Sequence, residues 1–169
     1  MKSKSLKLLS DFISIQSVST DSKRQNEISK AVEFLKKELK SLGFKINIYQ
    51  KNGCPPLIVA EYYLRDGRRQ DNKTIGIYAH YDVQPEDPIE QWKSPPYKLV
   101  LKNGKFFGRG VADDKGHIIQ ILTSIKRLIK VGNLKNNIVL IFEGEEETGS
   151  THFENLLSQV KKDLEKVRK

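Results

Sequence analysis

Apolar residues recur along the chain with two periods. Leu6, Leu8, Leu9, Phe12, Ile13 and Ile15 suit a short amphipathic helix over residues 3–17. Ile28, Ala31, Val32, Leu35, Leu39 and Leu42 form one face of a second helix, with lysines and glutamates opposite. Thr20 or Asp21 stands where a cap is expected, and Gly43 stands where a left-handed residue would end the helix. The period then drops to two. Phe44, Ile46 and Ile48 predict a strand, Asn52-Gly53 a turn, and Leu57 to Tyr63 a second strand behind Pro55-Pro56. A polar hairpin loop over residues 65–73 leads into a third strand, Thr74 to Ala79, which runs straight into His80.

Residues 84–96 hold four of the six prolines and predict an irregular connection. Lys98 to Phe107 reads as a hairpin around Asn103-Gly104. A helix from Asp114 to Val131 would bury Ile118, Ile119, Leu122, Ile125 and Ile129. Asn136-Asn137 turns into Ile138 to Phe142, an almost wholly aliphatic run expected at the centre of a sheet. A last helix would carry Phe153, Leu156, Leu157, Val160, Leu164 and Val167 on one face. Helices interleaved with hydrophobic strands predict a three-layer α/β/α sheet, mainly parallel, with its site beyond the C-terminal ends of strands.

Composition narrows the classes. Hydrophobic residues make up 37% and charged residues 30%, as in a soluble globular chain, and no apolar run is long enough to span a bilayer. The basic start Met1-Lys2-Ser3-Lys4 is soon followed by Asp11, with no small-residue cleavage site, so no signal peptide is expected. Cys54 is the single cysteine, which excludes an internal disulfide and fits a reducing, cytoplasmic compartment. The net charge of +9 comes from lysines scattered along amphipathic helices with acids between them. That pattern predicts a solvated surface, without nucleic acid or membrane as a partner.

Three stretches do not fit a solvated surface. They are Tyr78-Ala79-His80-Tyr81-Asp82-Val83-Gln84-Pro85, Gly108-Arg109-Gly110-Val111-Ala112-Asp113-Asp114-Lys115-Gly116 and Glu143-Gly144-Glu145-Glu146-Glu147-Thr148-Gly149-Ser150. Two lie at strand ends and one at a helix start. Carboxylates gathered without a partner repel one another and resist desolvation, and a divalent cation is the simplest partner. A lone histidine after a strand is more often a hydrogen-bonded loop residue than a ligand. Asp82, two residues on, changes this, because in extended backbone it points the same way and can fix the ring of a metal-binding histidine. Asp113-Asp114 reads either as a helix N-terminus or as a carboxylate shared by two metal ions. Of adjacent glutamates, one can bind metal while its neighbour activates water. His80, Asp113 and Glu147 are separated by nearly equal intervals, each about one strand-and-crossover unit, so the three are expected to converge at one sheet edge.

These residues resemble the co-catalytic zinc aminoacylase, carnosinase and carboxypeptidase G family of metallopeptidases and deacylases. The resemblance runs from Leu6 to the end of the chain, with all three motifs in the family's order. Tyr81 to Pro85, Trp92 with Ser94-Pro95-Pro96-Tyr97, and Gly104 to Gly110 look most like the dipeptidase, carnosinase-like branch. The resemblance implies that His80 binds one zinc, Asp113 bridges two and Glu147 binds the second. It implies Glu146 as general base, Asp82 as the group orienting His80, and a cis peptide at Asp113-Asp114. The implied cofactor is a pair of zinc ions, with cobalt or manganese as substitutes. The implied reaction is hydrolysis of dipeptides or related amides by water activated at those ions. The alternatives are an acylamino-acid deacylase of the same family and a non-catalytic remnant or interaction subunit. Family members are much longer. Residues 1–169 are therefore expected to form the N-terminal part of a zinc-exopeptidase-like catalytic domain, incomplete for activity alone. The rest of that domain, its further ligands and a lid and dimerisation domain would lie outside, with a complementing C-terminal segment and a homodimer in the complete protein. An apolar edge beside Ile138 to Phe142 would then be left open to association.

Overall fold

The computed structural model describes residues 4–51, 53–64 and 73–167, with side chains as far as Lys162. The expected turn residue Asn52, the polar loop apart from Lys73, and the side chains of Leu164 and Val167 lie outside the described residues.

Helix α1 spans Lys4–Ile13 and α2 spans Gln25–Ser41. The Asp21 carboxylate caps a short 3₁₀ turn, Ser22–Arg24, that runs into α2. Gly43 ends the helical region with φ +86°, a conformation that costs a residue without Cβ little. Strands β1 (Lys45–Tyr49) and β2 (Leu57–Tyr62) follow, then β3 (Thr74–His80). Strands β4 (Val100–Lys102) and β5 (Lys105–Phe107) form a separate hairpin, turned through Asn103 and Gly104, both at positive φ. Helix α3 spans Lys115–Lys130, β6 spans Asn137–Glu143 and α4 spans Phe153–Val167.

The main sheet has the order β1-β2-β6-β3. It is mixed, not mainly parallel: β1–β2 and β2–β6 are antiparallel, and only β3–β6 is parallel. The short β1–β2 connection forces an antiparallel pair, whereas α3 supplies the crossover that a parallel pair needs. Strand β6 is central, as its composition requires. It is paired on both sides, so the open edges belong to β1 and β3, and β3 exposes Ile75 and Tyr78.

Alternation along β6 divides two cores. Ile138, Leu140 and Phe142 face α1, α2 and α3, while Val139 and Ile141 face α4. Strand β2 does the same, with Ile58 and Ala60 on one side and Leu57 and Val59 on the other. This is the three-layer arrangement, with three helices on one face and one on the other. In the larger layer Phe12 stacks on Phe34 with ring centroids 4.6 Å apart.

Helix α1 ends four residues earlier than its apolar pattern suggests. The Ser17 hydroxyl donates to the carbonyl of Tyr81 at 2.7 Å, and the Val83 N–H donates to the Ser17 carbonyl at 3.0 Å. Residues 14–18 are thus drawn out to cover the chain leaving β3, where Val18 bridges Val83.

The proline-rich segment is irregular but fastened. Arg24 donates to both carboxylate oxygens of Glu86, at 2.9 and 2.6 Å, and Tyr97 donates to Glu86 at 2.6 Å. Arg109 lies 5.2 Å from the ring centroid of Trp92 and donates to the Pro85 carbonyl at 2.8 Å. The hydrogen bond from Arg24 is the main reason that the Glu86 carboxyl is held down at about 2 rather than 4.5; its burial works the other way. A depressed folded-state value means that Glu86 stabilises the fold above pH 4.5 and loses this contribution as pH falls towards 2. Glu86→Gln is expected to cost about 1 kcal/mol near neutrality, a modest figure because the pair is partly solvated. It should also flatten the acid limb of the stability profile over that window, as measured by urea unfolding at stepped pH.

Candidate metal centre

The parallel pairing of β3 with β6 builds the site. Strands β3 and β6 end level, with His80 in register with Glu143. The segments leaving both strands therefore emerge side by side at the C-terminal end of the pair. The start of α3 brings the remaining stretch, with its cis peptide Asp113–Asp114, to the same place.

His80 is 5% exposed and Asp82 is fully buried. The ring Nδ1 of His80 lies 3.2 Å from Asp82 Oδ1 and its Nε2 lies 2.8 Å from Asp113 Oδ1. The second Asp82 oxygen accepts from the Ser19 hydroxyl at 2.7 Å and from the Glu147 N–H at 3.1 Å. Asp82 thereby fixes the His80 ring and the turn carrying Glu147 together. Gln84 donates to the Glu147 carboxylate at 2.7 Å. Glu146, on the same 3₁₀ turn (Glu146–Thr148), places a carboxylate oxygen 3.9 Å from His80 Nε2.

One donor atom each from His80, Asp113 and Glu147 lie within 4.8 Å of one another. A neutral imidazole has one proton, yet both ring nitrogens here face carboxylates. Burial alone would lower the pKa of His80, but the hydrogen bonds to Asp82 and Asp113 outweigh it and push the value up to about 9. The position beside Nε2 thus calls for positive charge, either a proton or a metal ion. Among the described residues no lysine or arginine pairs with Asp113, Glu146 or Glu147. Imidazole with two carboxylates suits zinc and other borderline divalent ions, so the residues present fit the expected metal.

Of the five singled-out residues, all lie in this cluster, with Asp82 behind His80 and Asp113 on the solvent side. Glu145 does not join it; its carboxylate turns away to His152, 2.8 Å distant. The motifs gave no sign of several supporting groups. Asp114 accepts from the His80 N–H at 3.2 Å while also meeting His117 Nδ1 at 2.6 Å. Lys115 is fully buried, donating to the Phe12 carbonyl at 3.3 Å and to the Ile15 carbonyl. Burial is the chief cause of a Lys115 pKa lowered to about 7. Sequence pattern places a lysine in the first turn of a helix on the surface by default, and only the end of α1 packed over it reverses that.

Fold and site together define an α/β/α protein with a metal-type donor cluster at the ends of two parallel strands. Residues 76–168 match the peptidase family M20/M25/M40. The Cys-Gly metallodipeptidase dug1 of Schizosaccharomyces pombe is 34% identical over 160 residues, which is 88% of this chain and 33% of the relative. The human Beta-Ala-His dipeptidase is 36% identical over 108 residues, 63% of this chain and 20% of the relative. The structure of the di-peptidase Dug1p from Saccharomyces cerevisiae superposes with a TM-score of 0.82 at 28% identity, over 94% of this chain and 35% of that one. The chain belongs to the M20/M25/M40 peptidase family. It spans about a third of the length of dug1.

The loop that carries Glu146 and Glu147 depends on a close backbone approach at Gly144. A Cβ there would lie 2.3 Å from Tyr81 Cζ. Tyr81 cannot yield: it is fully buried, and its hydroxyl donates to the Pro56 carbonyl at 2.6 Å. Gly144→Ala is therefore expected to cost about 1–3 kcal/mol or more. It should also weaken metal binding at the His80 cluster, as read by denaturant unfolding and zinc titration of the same samples.

Proposed function

We propose that residues 1–169 supply the N-terminal part of the catalytic domain of a cytoplasmic, zinc-dependent dipeptidase. The observation that carries this reading is the convergence of His80, Asp113 and Glu147 donor atoms within 4.8 Å, with the Glu146 carboxylate beside them. The names of the relatives, which specify Cys-Gly and Beta-Ala-His dipeptides, support the substrate class. The single cysteine supports a reducing compartment.

In this reading His80 would hold one zinc ion and Glu147 a second, with Asp113 a ligand to both. When bound, such ions lower the pKa of water towards ~7 and polarise a carbonyl oxygen. The remaining work belongs to the chain's own side chains. Asp82 accepts the Nδ1 proton of His80, which commits Nε2 to the metal. Glu146 is exposed and free to accept a proton from the attacking water and return it to the departing amine. Gln84 holds the Glu147 carboxylate from the side. Three protein ligands do not complete two four-coordinate zinc sites. The proposal therefore includes further donors from a complementing segment.

The test uses this chain alone and co-expressed with such a segment, measuring zinc content and hydrolysis of Cys-Gly and β-Ala-His. The chain alone should hydrolyse neither above background, and the completed protein should hydrolyse dipeptides in preference to N-acyl amino acids. In the completed protein Glu146→Gln should keep its zinc and lose about 10²–10⁴-fold in kcat. Glu147→Gln should instead lose zinc affinity. Preference for N-acyl amino acids would make the protein a deacylase, and zinc binding without turnover in the completed protein would make it a binding subunit.

A further inference from the structure

A second group of metal-ligating side chains lies outside the site just described. Cys54, in the connection between β1 and β2, Glu145, at the end of β6, and His152, just before α4, each bring one donor atom within 4.8 Å of the others. We propose that these three residues form a separate mononuclear site for a thiophilic divalent cation of the zinc type.

The donor set is the first argument. Thiolate, imidazole and carboxylate together favour zinc or cobalt over calcium or magnesium, which take oxygen ligands. Three protein ligands leave a fourth tetrahedral position for water.

Geometry is the second. His152 Nδ1 lies 2.8 Å from Glu145 Oε1 and 3.2 Å from Oε2, a hydrogen-bonded pair that would open by roughly half an ångström to take one zinc ion with bonds of about 2.0–2.2 Å. The ion would replace the proton between them, and the imidazole would carry its remaining proton on Nε2. Cys54 would add a bond of about 2.3 Å, its sulfur lying within 4.8 Å of the other two donor atoms.

The setting is the third. Cys54 and Glu145 are buried while His152 reaches solvent, which gives an ion a route in. The N–H of Lys51 donates to Cys54 Sγ over 3.4 Å, which holds the sulfur in place. Gln50 donates to the Cys54 carbonyl at 2.9 Å, and the Ser150 N–H donates to the Glu145 carbonyl at 2.8 Å, so both ligands stand on braced backbone. On binding, the thiol gives up its proton to solvent.

An ion here would tie the β1–β2 connection and the start of α4 to the loop bearing Glu146 and Glu147. It would act as a structural staple beside the His80 cluster, sharing no ligand with it. A pair consisting only of a hydrogen-bonded Glu145 and His152 beside an inert thiol is the competing arrangement.

Cys54 is the chain's single cysteine. A sulfur-to-cobalt charge-transfer band can therefore come from no other residue. The experiment titrates the full chain with cobalt(II), with folding followed by circular dichroism. The expected result is a near-ultraviolet charge-transfer band that saturates with excess cobalt and persists in His80→Ala. Cys54→Ser should abolish it, and His152→Gln and Glu145→Gln should each weaken the affinity at least about tenfold. His152→Gln alters a partly exposed ring, so it keeps the test readable should Cys54→Ser unfold. No band from the folded chain in excess cobalt would overturn the proposal. So would a band whose affinity is unchanged in His152→Gln and Glu145→Gln, since that would be binding by the thiolate alone. Because the readout is spectroscopic and survives His80→Ala, its failure is separate from any failure of the dipeptidase reading.

Discussion

The carboxylate of Asp82 is where three parts of the chain are held to one another. It has no solvent contact, and it is bonded to the ring of His80, the hydroxyl of Ser19 and the backbone N–H of Glu147. These partners come from the end of β3, from the segment after α1 and from the loop after β6. A buried carboxylate is tolerable only when hydrogen bonds replace its lost water, so the anion constrains all three segments at once. The drawn-out residues after α1, the level ends of β3 and β6 and the orientation of the His80 ring all meet at this one group.

Three consecutive glutamates show how backbone geometry divides chemical roles. Residues in a 3₁₀ turn are spaced about a third of a revolution apart. Around the turn at Glu146–Thr148, Glu145 goes to His152, Glu146 faces solvent near His80, and Glu147 joins His80 and Asp113. In a strand, two of the three would have shared a face. Identical side chains thus have different surroundings because the chain turns under them.

Much of this was legible in the sequence, and for identifiable reasons. The apolar faces of α2 and α3, Gly43, the Asn103-Gly104 turn and the central strand follow from local pattern, and the structure has them. The convergence of His80, Asp113 and Glu147 was legible because strand-end motifs in an α/β sheet have few places to go. Strand direction was misread, because apolar composition marks a strand as buried without saying which way its neighbours run. The end of α1 was misread because Ser17 is recruited by Tyr81 and Val83, residues distant in sequence. The same holds for Lys115 and for the Glu145–His152 pair, whose partners are set by tertiary contacts that no window of the chain contains.

The register between β3 and β6 makes chain length itself a functional variable. Thr74 to His80 pairs with Asn137 to Glu143 without a bulge. Side chains alternate across the sheet, so gaining or losing one residue inside either strand would turn its terminal side chain to the opposite layer. Substitutions between Ile75 and Ala79 alter packing by degrees, whereas a single-codon insertion or deletion would carry the imidazole from the face it shares with Tyr78, on the α4 side, to the face of Ala79, on the α3 side. Over evolutionary time this stretch should therefore accept changes of residue much more readily than changes of count.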